Sequence, residues 1–151
     1  MHDIPMPSFG CHLFNHIAHR FVERDGTTVM EIDIDDSIRG PGGSVHGGVL
    51  AILVEIAGSN VLYDQAQRPS VSTALTVQYL GAARVGPLVA VPEILRISAS
   101  TGVAEVRVYD AGNERRLTTV GQITLTFLPG DAWAPAKSSS ELRTRPKSEN
   151  S

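Results

Sequence analysis

Between His46 and Asp64 the chain carries one charged side chain, Glu55, in a run that reads GGVLAILVEIAGSNVLY. An unpaired carboxylate in apolar surroundings is costly, so such a residue has a partner, a wet cavity or a function. The run opens with Gly47-Gly48. The first turn of a helix leaves backbone N–H groups without intrahelical acceptors, at the positive end of the dipole. With no side chain at either glycine, a ligand oxygen can reach those groups, and the site suits the oxyanion of acyl transfer. Each feature also has a plain alternative: paired glycines let a loop turn tightly, and a glutamate can surface through a gap.

The element that must carry these groups is a helix from Gly47 to about Tyr63, apolar nearly all round and so expected to be enclosed. On it, Glu55 shares a face with Gly48, Ala51, Gly58 and Ser59, all small, leaving room for a substrate or a second helix. Eight residues separate Gly47 from Glu55, roughly 12 Å along the axis. One carbonyl cannot touch both groups of one helix. They act separately, or two chains lie side by side and each site takes one group from each; at least a dimer is expected.

The remaining elements read as strands. Val22 to Arg24 and Thr27 to Ile34 flank Asp25-Gly26, a strong hairpin signal, and the second should have one wet face. Val71–Leu80, Leu88–Ile97, Val103–Asp110 and Leu117–Leu128 follow. An edge or bulge is expected at Pro92 and a bulge at Gly121. Cys11 to about Arg20 reads as a short helix. One buried helix wrapped by a curved antiparallel sheet makes an α+β fold.

Bulk properties narrow the classes. The chain has 151 residues, 42% hydrophobic and 19% charged, with a formal charge of −3 and one cysteine. That is one soluble domain, without the basic surface that nucleic acid requires and without an internal disulfide. No apolar run approaches the roughly 20 residues of a bilayer span, and a cytoplasmic location is expected. His12, His16 and His19 have helical spacing for a metal but no acidic companion, and surface histidines are the commoner case. Cys11 has no base placed beside it. Arg115-Arg116 falls in a turn, solvated or touching a phosphate.

The run Gly43-Ser-Val-His46-Gly47-Gly48-Val-Leu-Ala, with Glu55 nine residues after the histidine, resembles the hotdog-fold thioesterases of the PaaI-like, phenylacetate-pathway type. Val71 to Leu80, followed by Gly81-Ala-Ala-Arg84-Val-Gly86, is similar to that family's next strand and turn. The likeness spans about Phe21 to Leu128. It implies a hotdog domain at 20–129, after an N-terminal segment with a short helix at 1–19; the tail at 130–151, with Ser138-Ser-Ser140 and no apolar periodicity, reads as flexible from its composition. The likeness also implies a homo-oligomer, dimer or tetramer, that hydrolyses acyl-CoA or acyl-carrier thioesters with no metal or cofactor. By position, Gly47 would donate its N–H to the thioester oxygen. Glu55 of a partner would be nucleophile or general base, and Ser72 would place the water or the carboxylate. His46, Gly48, Ser59 and Arg84 would lie on the substrate side, Arg84 toward CoA. The family's frequent Asn six residues before the histidine is Gly40 here, with Arg39 beside it as a substitute donor, and an often polar position is Ala74. Two rivals follow: a non-catalytic hotdog module binding an acyl or aromatic ligand, and a hotdog hydratase, which would need a His–Asp constellation that the helix region lacks.

Overall fold

The computed structural model describes residues 16–130. The expectations for Cys11, His12 and the C-terminal tail lie outside those residues. Strand β1 (His19–Arg24) and strand β2 (Thr27–Ile32) form the expected hairpin. Asp25 and Gly26 both take positive φ, 51° and 76°, the backbone of a turn whose twist matches paired strands. His19 and Arg20 are therefore strand residues, which overturns the extension of a helix to Arg20. A 3-10 turn (Asp36–Ile38) leads to helix α1 (Gly47–Ala66). Strands β3 (Ser70–Tyr79), β4 (Leu88–Ile97), β5 (Thr101–Asp110) and β6 (Arg116–Phe127) complete one six-stranded sheet. All neighbours pair antiparallel in the order β1-β2-β4-β5-β6-β3.

Helix α1 runs one turn beyond Tyr63. It stops at Gln67, which takes the left-handed conformation and donates its N–H to the Tyr63 carbonyl. It has 20 residues, and an 18-residue stretch of it has a mean hydropathy of 1.3, long and apolar enough by composition to cross a bilayer. That corrects the reading that no run approaches this length. In this fold the helix lies across β2–β6 and buries Leu50, Leu53, Val54, Ile56, Ala57, Gly58 and Leu62. The opposite flank, with Val49, Ala51, Ile52, Glu55 and Ser59, stays only half-buried, so the helix is enclosed on one side rather than all round.

Two glycines set how closely helix and sheet approach. A Cβ at Gly58 would overlap Ile123 Cγ2 and lie 3.2 Å from Val106 Cγ2. Gly58 therefore faces the sheet and is not part of an open stripe beside Glu55. A Cβ at Gly121 would sit 2.6 Å from Val54 Cγ1. Gly121 pairs in register with Val77 and Val106, so it is a packing glycine and not the expected bulge. The irregularity in β6 falls at Thr118 instead, between the pairs Tyr109–Leu117 and Val108–Thr119.

One other expectation changes, while the edge expected at Pro92 is found. The outer face of β2 is closed rather than wet: Glu31 is 4% exposed, held by Arg20 at 2.9 Å and by Arg24. Arginine stems from β1 cover it while their charged ends remain in water. Pro92 sits inside β4, opposite Val106. Pairing of β2 with β4 ends at Met30–Ala90, so from there Pro92's missing N–H faces no partner strand.

Gly58→Ala should lower stability by about 1–3 kcal/mol through overpacking, despite alanine's better helix propensity. Gly42→Ala, where a Cβ meets nothing within 4 Å, should change it by less than about 0.5 kcal/mol. Urea unfolding of both variants measures the difference; equal midpoints would remove the close-approach argument.

Candidate active site

The start of α1 is capped by His46. Its backbone is extended, and its Nδ1 accepts the Gly48 N–H at 3.0 Å. Its carbonyl accepts the N–H of Val49 at 2.9 Å. Gly47 N–H donates no hydrogen bond among the described residues. The two glycines thus part roles: Gly48 is used by the cap, and Gly47 alone offers a donor at the positive end of the helix. His46 builds that terminus and its ring is exposed.

Gly47 opens on a cleft of about 390 Å³ lined by Ser44, Val45, Leu50, Tyr79, Leu80 and the small residues 81–83. Tyr79 is the residue that sequence reasoning left without a role. Its hydroxyl donates to the Gly47 carbonyl at 2.8 Å, and a Cβ at Gly47 would lie 3.2 Å from its Cζ. The ring therefore walls the cleft where any side chain at position 47 would stand.

Glu55 lies half-buried on the exposed flank of α1. Ser72 Oγ donates to its Oε1 at 2.9 Å, so the structure brings these two expected residues together. The pairing register between β3 and β6 shifts between Ser72 and Ala74. Strict alternation would send Ser72 and Tyr79, seven residues apart, to opposite faces. The extra residue, Thr73, reverses the parity, and both side chains reach α1. Glu55 and Ser72 do not line the Gly47 cleft. Within one chain the carboxylate and the free amide stay roughly eight helical residues apart, about 12 Å. Ser59 follows one turn beyond Glu55, half-buried.

The loops around the cleft are tied to each other. A Cβ at Gly40 would meet nothing nearer than 3.8 Å, so the place of the absent asparagine is open. Arg39 does not fill it. Its guanidinium donates to Gly43 O at 2.7 Å and Arg84 O at 3.1 Å, with Asp36 at 3.4 Å. Arg84 has a fixed backbone and an exposed side chain. Arg115 lies over the Tyr109 ring at 4.9 Å, and Arg116 begins β6 with its guanidinium against Gly81.

A second unforeseen residue is Asp110, fully buried at the end of β5. Its Oδ2 accepts the N–H groups of Arg84 (2.8 Å) and Val85 (3.0 Å), and its Oδ1 that of Gly86 (2.7 Å). Burial pushes this carboxyl up, but the three backbone donors outweigh it and hold it below the ordinary 3.8. In the sequence it reads only as the start of the Asp110–Asn113 turn. The metal spacing of the histidines fails in part because His19 is in a strand, its Nδ1 2.9 Å from Ile17 O. Among the described residues no group of three His, Cys, Asp or Glu could hold a metal.

One long helix against a six-stranded antiparallel sheet agrees with what known proteins show. The thioesterase superfamily model matches residues 42–116. A candidate esterase of Halobacterium salinarum is 34% identical over 91 residues, 56% of this chain and 60% of that protein. The chain thus spans about three-fifths of that relative's length. The Escherichia coli PaaI protein from the phenylacetic acid degradation operon superposes with a TM-score of 0.69 at 17% identity, covering 79% of this chain and 86% of PaaI. A variant of a Staphylococcus aureus thioesterase gives 0.67 at 25% identity, covering 78% and 99%. The fold is the hotdog fold, and the chain belongs to the thioesterase superfamily.

Asp110→Asn should lower stability at pH 7 by about 2–4 kcal/mol, because a neutral amide faces donors that a charge had satisfied. A depressed carboxyl stabilises the fold above its unfolded value of 3.8 and ceases to as pH falls below that through the folded value. Denaturation curves of both proteins should therefore differ at neutral pH and converge in acid. A gap that is unchanged across this range would contradict the assignment.

Proposed function

We propose that this protein hydrolyses acyl-CoA thioesters to the free acid and the thiol, in a site shared between two copies of the chain. The observation that carries this reading is the pair of groups on α1: Gly47 with an uncommitted N–H, and Glu55 with one oxygen held by Ser72 and the other unassigned. The thioester carbonyl oxygen accepts from Gly47 N–H, which stabilises the charge that develops as the carbon becomes tetrahedral. Glu55 of the partner subunit acts as general base: Oε2 takes a proton from water as its oxygen attacks the carbonyl carbon. Collapse breaks the C–S bond, the proton held by Glu55 passes to the departing sulfur, which leaves as thiol, and the acid remains. The alternative in which Glu55 itself attacks would pass through an anhydride, and single turnover in H₂¹⁸O separates the two. General-base attack puts the label in the product acid and none in Glu55.

Sharing follows from rigidity, since one helix holds the two groups too far apart for one carbonyl. What supports a second copy is β3. It ends the sheet, has ten residues, and leaves Val71 and Leu75 46% and 40% exposed. A long apolar edge of this kind is a template for another strand. Arg84, exposed beside the cleft, is placed for a CoA phosphate. A cytoplasmic location accords with a CoA substrate.

Glu55→Ala and Glu55→Gln should reduce turnover of an acyl-CoA panel by about 10²–10⁴-fold; no turnover by the unmodified protein would favour a binding module. Gly47→Pro removes the N–H at a helix position where proline is tolerated, and His46 already has the extended backbone that precedes proline. Gly47→Ala controls for contact with Tyr79. Random mixing of Glu55→Ala with Gly47→Pro chains, each inactive alone, should restore about a quarter of the unmodified rate, because half the dimers regain one whole site. If the refolded mixture stays inactive while sedimentation confirms exchange, the shared site is wrong.

A further inference from the structure

Resting on the reading of Gly47 as the oxyanion donor, we infer that Asp110 is a positioning residue for that amide, acting through the loop at Arg84–Gly86. Asp110 touches the backbone at Arg84–Gly86 and neither Gly47 nor Glu55. It is fully buried, with no cationic side chain paired to it among the described residues. A buried charge without a counter-ion persists only where its hydrogen bonds are numerous and well aimed. Here three consecutive N–H groups converge on two oxygens at 2.7–3.0 Å. A neutral asparagine has one carbonyl oxygen and cannot satisfy all three in the same way.

What the carboxylate holds is the segment directly after the cleft wall at 81–83. The Ala83 carbonyl, one residue before the clamp, accepts the Val45 N–H at 2.9 Å. The Arg84 carbonyl accepts from Arg39, whose same nitrogen donates to Gly43 O. His46 N–H reaches Ile38 O at 2.9 Å. Val45 and His46 are the two residues ahead of Gly47, and the His46–Gly47 peptide plane sets where the free N–H points. Gly112 adds a steric stop, since a Cβ there would overlap Gly86 O. Asp110 thus fixes 84–86, that loop fixes Val45 directly and Gly43 through Arg39, and these fix the direction of the donor. Misplacing an oxyanion donor affects the transition state more than substrate binding, so the role has its own kinetic signature.

The test uses the full chain with Asp110→Asn, Arg39→Met and the double variant. Hydrogen exchange, read residue by residue, should show the amides of Val45 and His46 opening at least about tenfold faster in both single variants, with those of Leu53–Ala57 little changed. On an acyl-CoA that the unmodified protein hydrolyses, kcat should fall about 10–100-fold with KM within about threefold. The double variant should be no slower than the worse single one, because both bonds serve one loop. Should Asp110→Asn fail to fold, Arg39→Met carries the same exchange and kinetic tests. Wild-type exchange at Val45 and His46 in a variant whose 84–86 amides have loosened would overturn the inference. So would a rise in KM at constant kcat, or singly mild effects that multiply. The exchange measurement needs no activity, so loss of the thioesterase reading and loss of the positioning role are separately visible.

Discussion

The seating of α1 on β5 and β6 sets the distances on which every other part of the site depends. Gly58 lets the helix descend until Ile123 and Val106 meet its backbone, and Gly121 lets Val54 press down onto β6 from the other side. A methyl group at either contact would lift or tilt the helix, and both chemically competent groups ride on it. Gly47 and Glu55 thus have a fixed separation, guaranteed by helix geometry and not by flexible side chains. That rigidity keeps the two groups about 12 Å apart within one chain.

Asp110 and Glu55 illustrate how environment divides labour among carboxylates. Asp110 is saturated, with three amide donors on two oxygens and no solvent, and this arrangement favours a permanent charge that never exchanges a proton in the working range. Glu55 has a single hydroxyl on one oxygen and a half-open flank. One is built to be immobile and the other to keep an unsatisfied lone pair. Glu31 is a third case, neutralised by two arginines whose stems close the outer face of β2.

Much of this was legible in the chain. Asp25-Gly26 announced its hairpin because only a few residues adopt positive φ at low cost. The helix from Gly47 was legible because its apolar run exceeds any strand, and Glu55 stood out as the one charge between His46 and Asp64. What sequence could not supply was relative position. The parity reversal at Thr73 has no signature in composition, yet it alone lets Ser72 and Tyr79 face the same helix. Gly121 looked like a bulge because glycine in a strand has two uses, and only the height of Val54 above it separates them. Gly58 looked like part of an open face for the same reason. Arg20 was assigned to a helix although its partner, Glu31, lies eleven residues on, across a turn. Asp110 resembled an ordinary turn residue, since the three amides it binds come from 24 to 26 residues upstream.

The join between β2 and β4 has only three residue pairs, from Met30–Ala90 to Ile32–Leu88, and Pro92 supplies no donor to lengthen it. The first hairpin is therefore fastened to the remainder of the sheet by a short seam, while β4, β5, β6 and β3 are joined along nearly their full lengths. Peeling that hairpin away would uncover Met30 and Ile32 but leave α1 on its bed of β5 and β6. The molecule thus has a natural order of disassembly, in which the N-terminal hairpin detaches as a unit before the chemistry-bearing layer is disturbed.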